Sequence, residues 1–544
     1  MGEPRRKFWP IVPPTMHFMA LAPLDVWLRL LFRPLARIEP RYWLRLFIVL
    51  LSSTLATLVT LPERLTFWLL FKLVKFRPES LPGPVFVLGH YRSGTTHLHY
   101  LLDCDPALFT PKWFHTLAPQ GFVVSWTFLR AFLIPFMSGS RPMDAMDVGP
   151  EYPAEDHFAV NNWCGASTLP GKTTFPQMID FYDRFNLLQQ VTPAELSRWQ
   201  RFQLAFLRKL AVLAGSRRLL LKSPSHTAHV DRLLELLAGV PGVKFIHITR
   251  QPDKVLRSNI WMHQVFQRIW NLQDAQTPEE MEENLLQEYL QSEASFLRCR
   301  QLVPERSLVQ IRMQDLHADP LGVMRRAYAD LDLPFTPAFE SRMVSYLNAT
   351  RDFRPNQHSN FTPEQEARLK PRLEPLLDDF NHRAPTIPKV EVPHISAPSG
   401  SWQSIRGSAA WVVALLVAGV CVALWWGLTL WTGAGYAHAY RMVWPVGLAV
   451  GYAAQCCAGR GSTRLGAWAS GLTLLSLAVV GLAATHFIYY AGQSPAAAQL
   501  WTTALLGASS TATSSEAVGL ISFHALFWAI MGSITAYRLA SAQG

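Results

Sequence analysis

Cysteine is scarce in this chain of 544 residues, and the six that occur show no regular spacing. A disulfide framework or a structural zinc site needs cysteines in spaced pairs, so neither is predicted. The chain also lacks His-x3-His and Cys-x2-Cys spacings, and we therefore predict no metal site. This cysteine usage is typical of a reducing compartment.

Charge is nearly absent from the C-terminal part of the chain. Before Pro398, charges of both signs are dense, whereas the charged residues that follow are Arg406, Arg441, Arg460, Arg464, Glu516 and Arg538. The sequence therefore divides into a polar N-terminal part and an apolar C-terminal part.

The net charge of +11 is not concentrated in any long Lys/Arg-rich run. Much of it comes from arginines scattered between Arg5 and Arg77, beside apolar stretches. No nucleic-acid-binding motif accompanies them, so a nucleic-acid partner is not predicted. We interpret this charge as contact with anionic membrane lipid, and predict that residues 1–80 form a membrane-associated helical region.

Leu46–Pro62 is an uncharged stretch at the lower limit for a membrane span, which needs about 20 apolar residues. Arg45 precedes it and Arg64 follows it, so the distribution of positive charge does not support a single crossing. The pattern favours an interfacial or re-entrant helix, and a true span stays open.

Residues 408–544 contain four uncharged stretches, and each is long enough to span a bilayer. A proline-rich linker, 384–407, precedes them. Basic residues flank the outer ends and the middle connection, so the positive-inside rule places both ends in the cytoplasm. We predict a multi-pass membrane protein (of the inner membrane, if bacterial) with four C-terminal transmembrane helices. The stretches are Ala409–Gly435, Met442–Gly459, Leu465–Gly492 and Val518–Tyr537.

Residues 81–383 have an α/β pattern. Short apolar runs predict buried strands at Val85–Leu88, Leu219–Leu221, Phe245–Ile248 and Leu308–Ile311. Between them, Thr-Pro-x-Glu/Gln signals at Thr192, Thr277 and Thr362 predict helix starts. Buried strands alternating with helices indicate a mostly parallel sheet with helices on both faces.

The loop Gly89–Thr96 follows the first predicted strand and precedes a helix. Strand, glycine-containing loop and helix form an anion cradle, because backbone N–H groups and the helix N-terminus converge on a phosphate. The Gly-x4-Gly spacing matches the phosphate loop of NTPases, but Thr95 stands where those proteins need Lys. This argues against ATP or GTP hydrolysis, and Arg92 supplies positive charge within the loop instead.

A second anion site is indicated at Arg250–Ser258, after the strand Phe245–Thr249. Arg250 leaves the strand end, and Ser258 lies on the next helix. The plainer alternative is a surface salt bridge between Arg250 and Asp253. Two anion sites at the carboxyl edge of one parallel sheet predict a ligand with two separated phosphates.

These two segments together resemble the sulfotransferase family, in its bacterial form with an Arg-Ser-Gly-Thr-Thr loop and more distantly in its tyrosylprotein form. The resemblance implies a P-loop-like three-layer fold, the donor 3'-phosphoadenosine-5'-phosphosulfate (PAPS) and no metal. It implies a 5'-phosphosulfate loop of Arg92, Ser93, Gly94, Thr95 and Thr96, and a 3'-phosphate site of Arg250 and Ser258. Leu221–Pro224 resembles the family segment whose lysine stabilises the transferring group. The resemblance therefore assigns that role to Lys222, together with Arg92.

Two residues are candidates for the general base. A hydroxyl acceptor must give its proton to a carboxylate or imidazole within hydrogen-bond reach. Glu155, in Pro153–His157, is the first candidate because this segment resembles a Pro-x-Glu-Asp-Glu motif of the bacterial subgroup, with His157 in place of the last Glu. His226 is the second. The plain alternatives are a solvated acidic turn for Glu155 and a helix-capping residue for His226.

The sequence therefore predicts a sulfotransferase that acts on a hydroxyl or amine acceptor. The membrane segments suggest a lipid, glycolipid or other hydrophobic acceptor, met by a cytoplasmic catalytic domain. Two alternatives are a P-loop kinase and a non-enzymatic nucleotide-binding membrane sensor or scaffold.

Overall fold

The protein is described from a computed structural model. The structure describes residues 17–33, 36–126, 129, 141, 143, 144, 146, 148–351 and 359–382. The predicted linker and four-helix transmembrane domain lie outside these residues.

A five-stranded sheet of parallel strands forms the centre of the catalytic region, in the order β2-β3-β1-β4-β5. The four predicted strands are present, and the predicted parallel α/β architecture is confirmed. A two-residue edge strand was not predicted, because so short a segment has no apolar pattern. The strands are β1 (Val85–Leu88), β2 (Leu108–Phe109), β3 (Arg218–Lys222), β4 (Lys244–Thr249) and β5 (Leu308–Arg312).

Helices surround the sheet and connect its strands. Short 3-10 turns occur at Pro40–Tyr42, Pro78–Ser80, Pro224–Ala228 and Arg300–Leu302. The described α-helices are α1 (Leu24–Leu31), α2 (Trp43–Leu73), α3 (Thr95–Leu102), α4 (Trp113–Leu117), α5 (His157–Cys164), α6 (Thr168–Thr174), α7 (Ile179–Leu187), α8 (Pro193–Ala214), α9 (Val230–Leu236), α10 (Pro252–Trp270), α11 (Pro278–Cys299), α12 (Met313–Ala318), α13 (Pro320–Asp330), α14 (Pro337–Ala349) and α15 (Pro363–His382).

Alternate residues of the strands pack against helices on opposite faces of the sheet, as the period of two requires. Val85 and Val87 belong to a core with side chains of α3, α13 and α14. Phe86 points the other way, where it stacks on Phe245 at 5.4 Å and meets His226 edge-on. Both faces are therefore buried, which explains why the strand sequences are continuously apolar.

The three predicted helix starts are confirmed by their capping hydrogen bonds. Thr192 accepts from the amide of Glu195, and Thr277 accepts from the amide of Glu280, both at 3.3 Å. Thr362 accepts from the amide of Gln365 at 3.2 Å. In each case the amide of the threonine donates to the side chain of the Glu or Gln three residues later. Two backbone N–H groups that have no partner within the helix are therefore both hydrogen-bonded.

Helix α2 extends well beyond the uncharged stretch identified in the sequence, and Pro62 lies inside it. Within the described part of the chain, Pro40–Leu73 is the one helical segment that is long and apolar enough to cross a membrane, by length and composition. The uncharged stretch is shorter than the helix at both ends because Arg45, Pro62 and Arg64 interrupt the apolar pattern.

A buried ion pair joins α2 to α8. Glu63 and Lys209 are 2.9 Å apart, and Lys209 also donates to the carbonyls of Pro119 and Gln120. The Glu63 carboxylate accepts three further bonds, from the amides of Val123, Val124 and Ser125. This charge pair is fully hydrogen-bonded, which is the condition for tolerating buried charges.

We expect Lys209→Met to lower the free energy of unfolding by about 3 to 5 kcal/mol, because it leaves the Glu63 carboxylate buried without its cation. The matched control is Arg325→Met, which breaks the exposed pair with Glu340 and is expected to cost about 1 kcal/mol or less. Urea denaturation of the full chain in detergent measures both. Equal losses in the two variants would contradict the role given to the buried pair.

Candidate active site

The loop between β1 and α3 has a backbone shaped for an anion. Gly89 and Gly94 have φ values of 136° and 107°, in the region that favours glycine. A Cβ at Gly94 would collide with the sulfur of Met313. Arg92 also has positive φ, 73°, which is costly for a residue with a Cβ. The two glycines therefore suit the conformation of the loop, whereas Arg92 is held in one that its residue type does not favour.

The Arg92 side chain joins the two predicted anion sites. Its Nε donates to Ser258 Oγ at 2.9 Å, although 166 residues separate them in the chain. Arg250 Nη1 in turn donates to the Arg92 carbonyl at 3.3 Å. The structure therefore brings Arg92, Arg250 and Ser258 together at the carboxyl ends of β1 and β4.

Two residues that sequence reasoning missed complete this cluster. Asp144 Oδ2 accepts from Arg92 Nη1 at 2.6 Å, and Asp144 Oδ1 lies 3.3 Å from Arg141 Nε. Burial raises the pKa of Asp144, but Arg141 and Arg92 outweigh it and hold the pKa below its ordinary value. Asp144 is therefore an ionised counterion between two arginines. No signal in the sequence marked these two residues, because they come from a segment without periodicity or a known motif.

Thr96, at the start of α3, is shared by two cations from different parts of the chain. Lys222 Nζ donates to Thr96 Oγ1 at 3.3 Å, and Arg141 Nη1 donates to the same oxygen at 3.2 Å. Lys222 is at the end of β3, the neighbour of β1 in the sheet. Lys222 and Arg141 therefore bring positive charge to the first turn of α3. Arg141 also interacts with Arg92 and Asp144, so these groups form one cluster of charges.

Glu155 is the carboxylate of this cluster nearest to Lys222, with which it forms a buried ion pair. Its other oxygen lies 3.3 Å from His157 Nδ1, and that nitrogen also contacts Ser223 Oγ at 2.9 Å. Glu155 is thus held between a lysine and an imidazole. It is not the solvated acidic turn of the plain alternative.

The charge state of Glu155 follows from these neighbours. Burial raises its pKa, but the charge of Lys222 and its hydrogen bond to the carboxylate outweigh burial and leave the pKa below its ordinary value. Burial lowers the pKa of His157 to about 4, so the imidazole is neutral near neutral pH. Glu155 is therefore an ionised carboxylate, able to accept a proton.

His226 has a different environment. Its Nε2 is bonded to Asp156 Oδ2 at 2.7 Å, and Gln203 donates to the same oxygen at 3.1 Å. His226 and His157 both line a small cavity between α5, α6 and α8. Within the described residues, His226 Nδ1 and His157 Nε2 have no hydrogen-bond partner. The structure thus separates the two candidate bases: Glu155 contacts Lys222, and His226 contacts Asp156.

Comparisons with known proteins identify the family to which this chain belongs. The model of the sulfotransferase family matches residues 84–337, which contain every residue named above as a candidate. The chain is 31% identical over 302 residues to omega-hydroxy-beta-dihydromenaquinone-9 sulfotransferase Stf3 of Mycobacterium tuberculosis, covering 55% of this chain and 75% of that protein. The same values hold for Stf3 of Mycobacterium bovis. The chain belongs to the sulfotransferase family.

Two solved structures are also similar. Sulfotransferase STF9 from Mycobacterium avium is 21% identical with a TM-score of 0.45, covering 68% of this chain and 97% of its own. Sulfotransferase STF1 from Mycobacterium tuberculosis is 18% identical with a TM-score of 0.42, covering 55% of this chain and 81% of its own. These scores are low, and the fold assignment rests on the sheet described above.

We expect Lys222→Gln to move the acid limb of the transfer reaction to higher pH. Without the lysine charge, burial raises the pKa of Glu155, so the carboxylate becomes protonated, and inactive as a base, at a higher pH than in the wild type. The measurement is kcat/KM against pH, normalised to the plateau. Lys244→Gln, at the opposite end of the sheet, is the control and should leave the profile unchanged. An acid limb that stays in place would show that Glu155 is not the titrating group.

Proposed function

We propose that this chain transfers the sulfuryl group of PAPS to a hydroxyl, or an amine, of a hydrophobic or lipid-linked acceptor. The observation that carries the proposal is the convergence of Arg92, Arg250 and Ser258 beside a phosphate-type loop. A nucleotide with phosphates at both the 5' and the 3' position would use both parts of this cluster. Membership of the sulfotransferase family supports the reaction class.

The donor would be held by groups with separate tasks. The amides of Gly94, Thr95 and Thr96 at the start of α3 would bind the 5'-phosphate, where the helix N-terminus favours negative charge. Arg250 and Ser258 would bind the 3'-phosphate and so select against nucleotides that lack it. Arg92 connects the two groups and would lose its contact with Asp144 when the donor's own negative charge arrives.

Transfer itself is an in-line displacement in which sulfur passes from the phosphate oxygen to the acceptor oxygen. Negative charge develops on the leaving phosphate, and Lys222 and Arg141 at Thr96 would stabilise it. The acceptor hydroxyl loses its proton as the new S–O bond forms, and Glu155 would accept that proton. His226 is the second candidate for the base, and its bond to Asp156 would set its tautomer.

The acceptor class is supported by two observations. The Stf3 relatives are named for a hydroxylated menaquinone, which is a hydrophobic molecule with a hydroxyl group. The chain itself carries a long apolar helix, α2, beside the catalytic region. A catalytic domain held at a membrane would meet a hydrophobic acceptor at high local concentration.

The first experiment follows radiolabelled sulfate from PAPS into a lipid extract and a polar extract of the source membranes. We expect label in the lipid extract for the wild type and none for Arg92→Ala. ATP labelled at the γ-phosphate, run in parallel, tests the kinase alternative. Donor binding without transfer to either extract would favour the sensor alternative, and absence of donor binding would contradict the proposal.

Arg250 should decide the preference for a 3'-phosphate. We expect the wild type to bind adenosine 3',5'-bisphosphate more tightly than AMP, and Arg250→Ala to lose this preference by roughly tenfold to a hundredfold, as for a charged hydrogen bond. Arg257→Ala is the matched control, because Arg257 lies on α10, the helix that begins just after Arg250, but pairs with Asp253. Isothermal titration calorimetry measures both. A preference that survives in Arg250→Ala would contradict the assignment.

Arg141 should act on the rate more than on donor binding. We expect Arg141→Met to lower kcat by about a hundredfold to a thousandfold, as for loss of one preorganised donor to developing charge. Arg141→Lys should recover part of the loss because it restores the charge. Single-turnover kinetics and donor titration separate the two effects. A loss confined to donor affinity would make Arg141 a binding residue only.

A further inference from the structure

The burial pattern of helix α2 is the reverse of that of a helix in a soluble protein. Its buried residues form one stripe at spacings of four and three, and all except valine are small or polar: Val49, Ser53, Ala56, Thr60 and Glu63. A soluble helix buries its large apolar side chains instead. Here those side chains are exposed, at Trp43, Leu44, Phe47, Ile48, Leu51, Leu55, Leu58, Leu61, Leu65, Trp68, Leu69, Leu70 and Leu73.

Helix α2 is attached to the catalytic region along its whole length. Near its start, Arg45 donates to Asn271 Oδ1 at 2.9 Å. In its middle, Thr57 accepts from the amide of Leu24 at 2.8 Å, and two residues after Pro62 Arg64 pairs with Asp25 at 2.7 Å. Just past its end, Arg208 donates to a main-chain carbonyl at 2.7 Å. The helix therefore lies flat against the protein.

This attachment bears on whether α2 can cross a membrane. At 31 residues the helix is about 46 Å long, whereas the hydrocarbon core of a bilayer is about 30 Å thick. Crossing would carry the attached catalytic surface, with its ion pair at Asp25 and its hydrogen bonds at Asn271, into hydrocarbon. Such polar groups are costly there.

The charge around the exposed face matches an anionic surface. Between residues 40 and 78 the sequence contains one carboxylate, Glu63, and that group is buried against Lys209. Lys72, Lys75 and Arg77 are exposed at the C-terminal end, with Lys72 packed over the Trp68 ring at 3.9 Å. Tryptophans near both ends and basic residues beside an apolar face are typical of helices at the membrane–water interface.

We infer that α2 is an in-plane membrane-docking helix that rests on an anionic bilayer and does not cross it. Its apolar face enters the boundary between headgroups and acyl chains to a depth of about 5–10 Å, while Lys72, Lys75 and Arg77 meet the lipid phosphates. The inference stands on α2 alone and is independent of the transfer reaction.

The test measures the depth of three positions on the exposed face. Leu44, Leu55 and Leu69 lie near the start, middle and end of α2, and their spacing places them on nearly the same side. Each receives a nitroxide label through a single cysteine, in the full chain without its native cysteines, reconstituted in vesicles of phosphatidylcholine and phosphatidylglycerol. Relative accessibility to oxygen and to a water-soluble nickel complex reports depth. A label at the exposed Glu279 is the control for water contact.

We expect the same shallow depth at all three positions. A middle position at the bilayer centre with the ends near opposite surfaces would overturn the inference in favour of a crossing. Low accessibility to both reagents would show that protein covers this face, and full access to the nickel complex would show that the face is in water. Circular dichroism checks the fold of each variant, and Ile48, Leu58 and Leu65 offer a second exposed set if one label disturbs it.

Discussion

The arrangement of the site is governed by the need to hold several cations close together away from water. Arg92, Arg141, Lys222 and Arg250 all lie at one edge of the sheet, and their mutual repulsion would be severe without counterions. Asp144 and Glu155 supply these counterions, each shared between two positive or polar neighbours. Asp144 and the turn that carries Glu155 are therefore fixed in position by the charges they neutralise.

This pairing of cations with carboxylates affects which anions can bind at the site. Arg92, Arg141 and Lys222 are paired with carboxylates of the chain, so an anion that binds these three cations must compete with Asp144 and Glu155. A dianionic phosphate competes well, because it brings more charge and more acceptor oxygens than one carboxylate. A singly charged ligand has no such advantage. If the proposed donor site binds as described above, we expect it to favour ligands with more negative charge.

Much of the fold could be predicted from the sequence because its signals are local. Four strands were visible as short apolar runs, and three helix starts as capping residues at fixed spacing. The loop from Gly89 and the Arg250–Ser258 segment carried both parts of the candidate binding cluster, and the structure brings them within contact. Arg141 and Asp144 could not be found in this way, because what places them is the attraction of Asp144 to both Arg92 and Arg141 across the fold. The direct pairing of Lys222 with Glu155 likewise depends on tertiary structure. Adjacent residues Glu155 and Asp156 serve different partners, which no linear pattern could reveal.

The Glu63 carboxylate has a consequence for any attempt to shorten the chain. A fragment that begins just before β1 would retain the sheet, the loop and every candidate catalytic residue, and on sequence alone it looks like a natural soluble version of the enzyme. It would also leave Lys209 as an unpaired ammonium group in the interior, and would remove the acceptor for three consecutive amides at Val123–Ser125. The part of the chain needed for folding therefore begins earlier than the part that carries the candidate catalytic residues. Helix α2 contributes a buried carboxylate to the interior as well as an exposed apolar face.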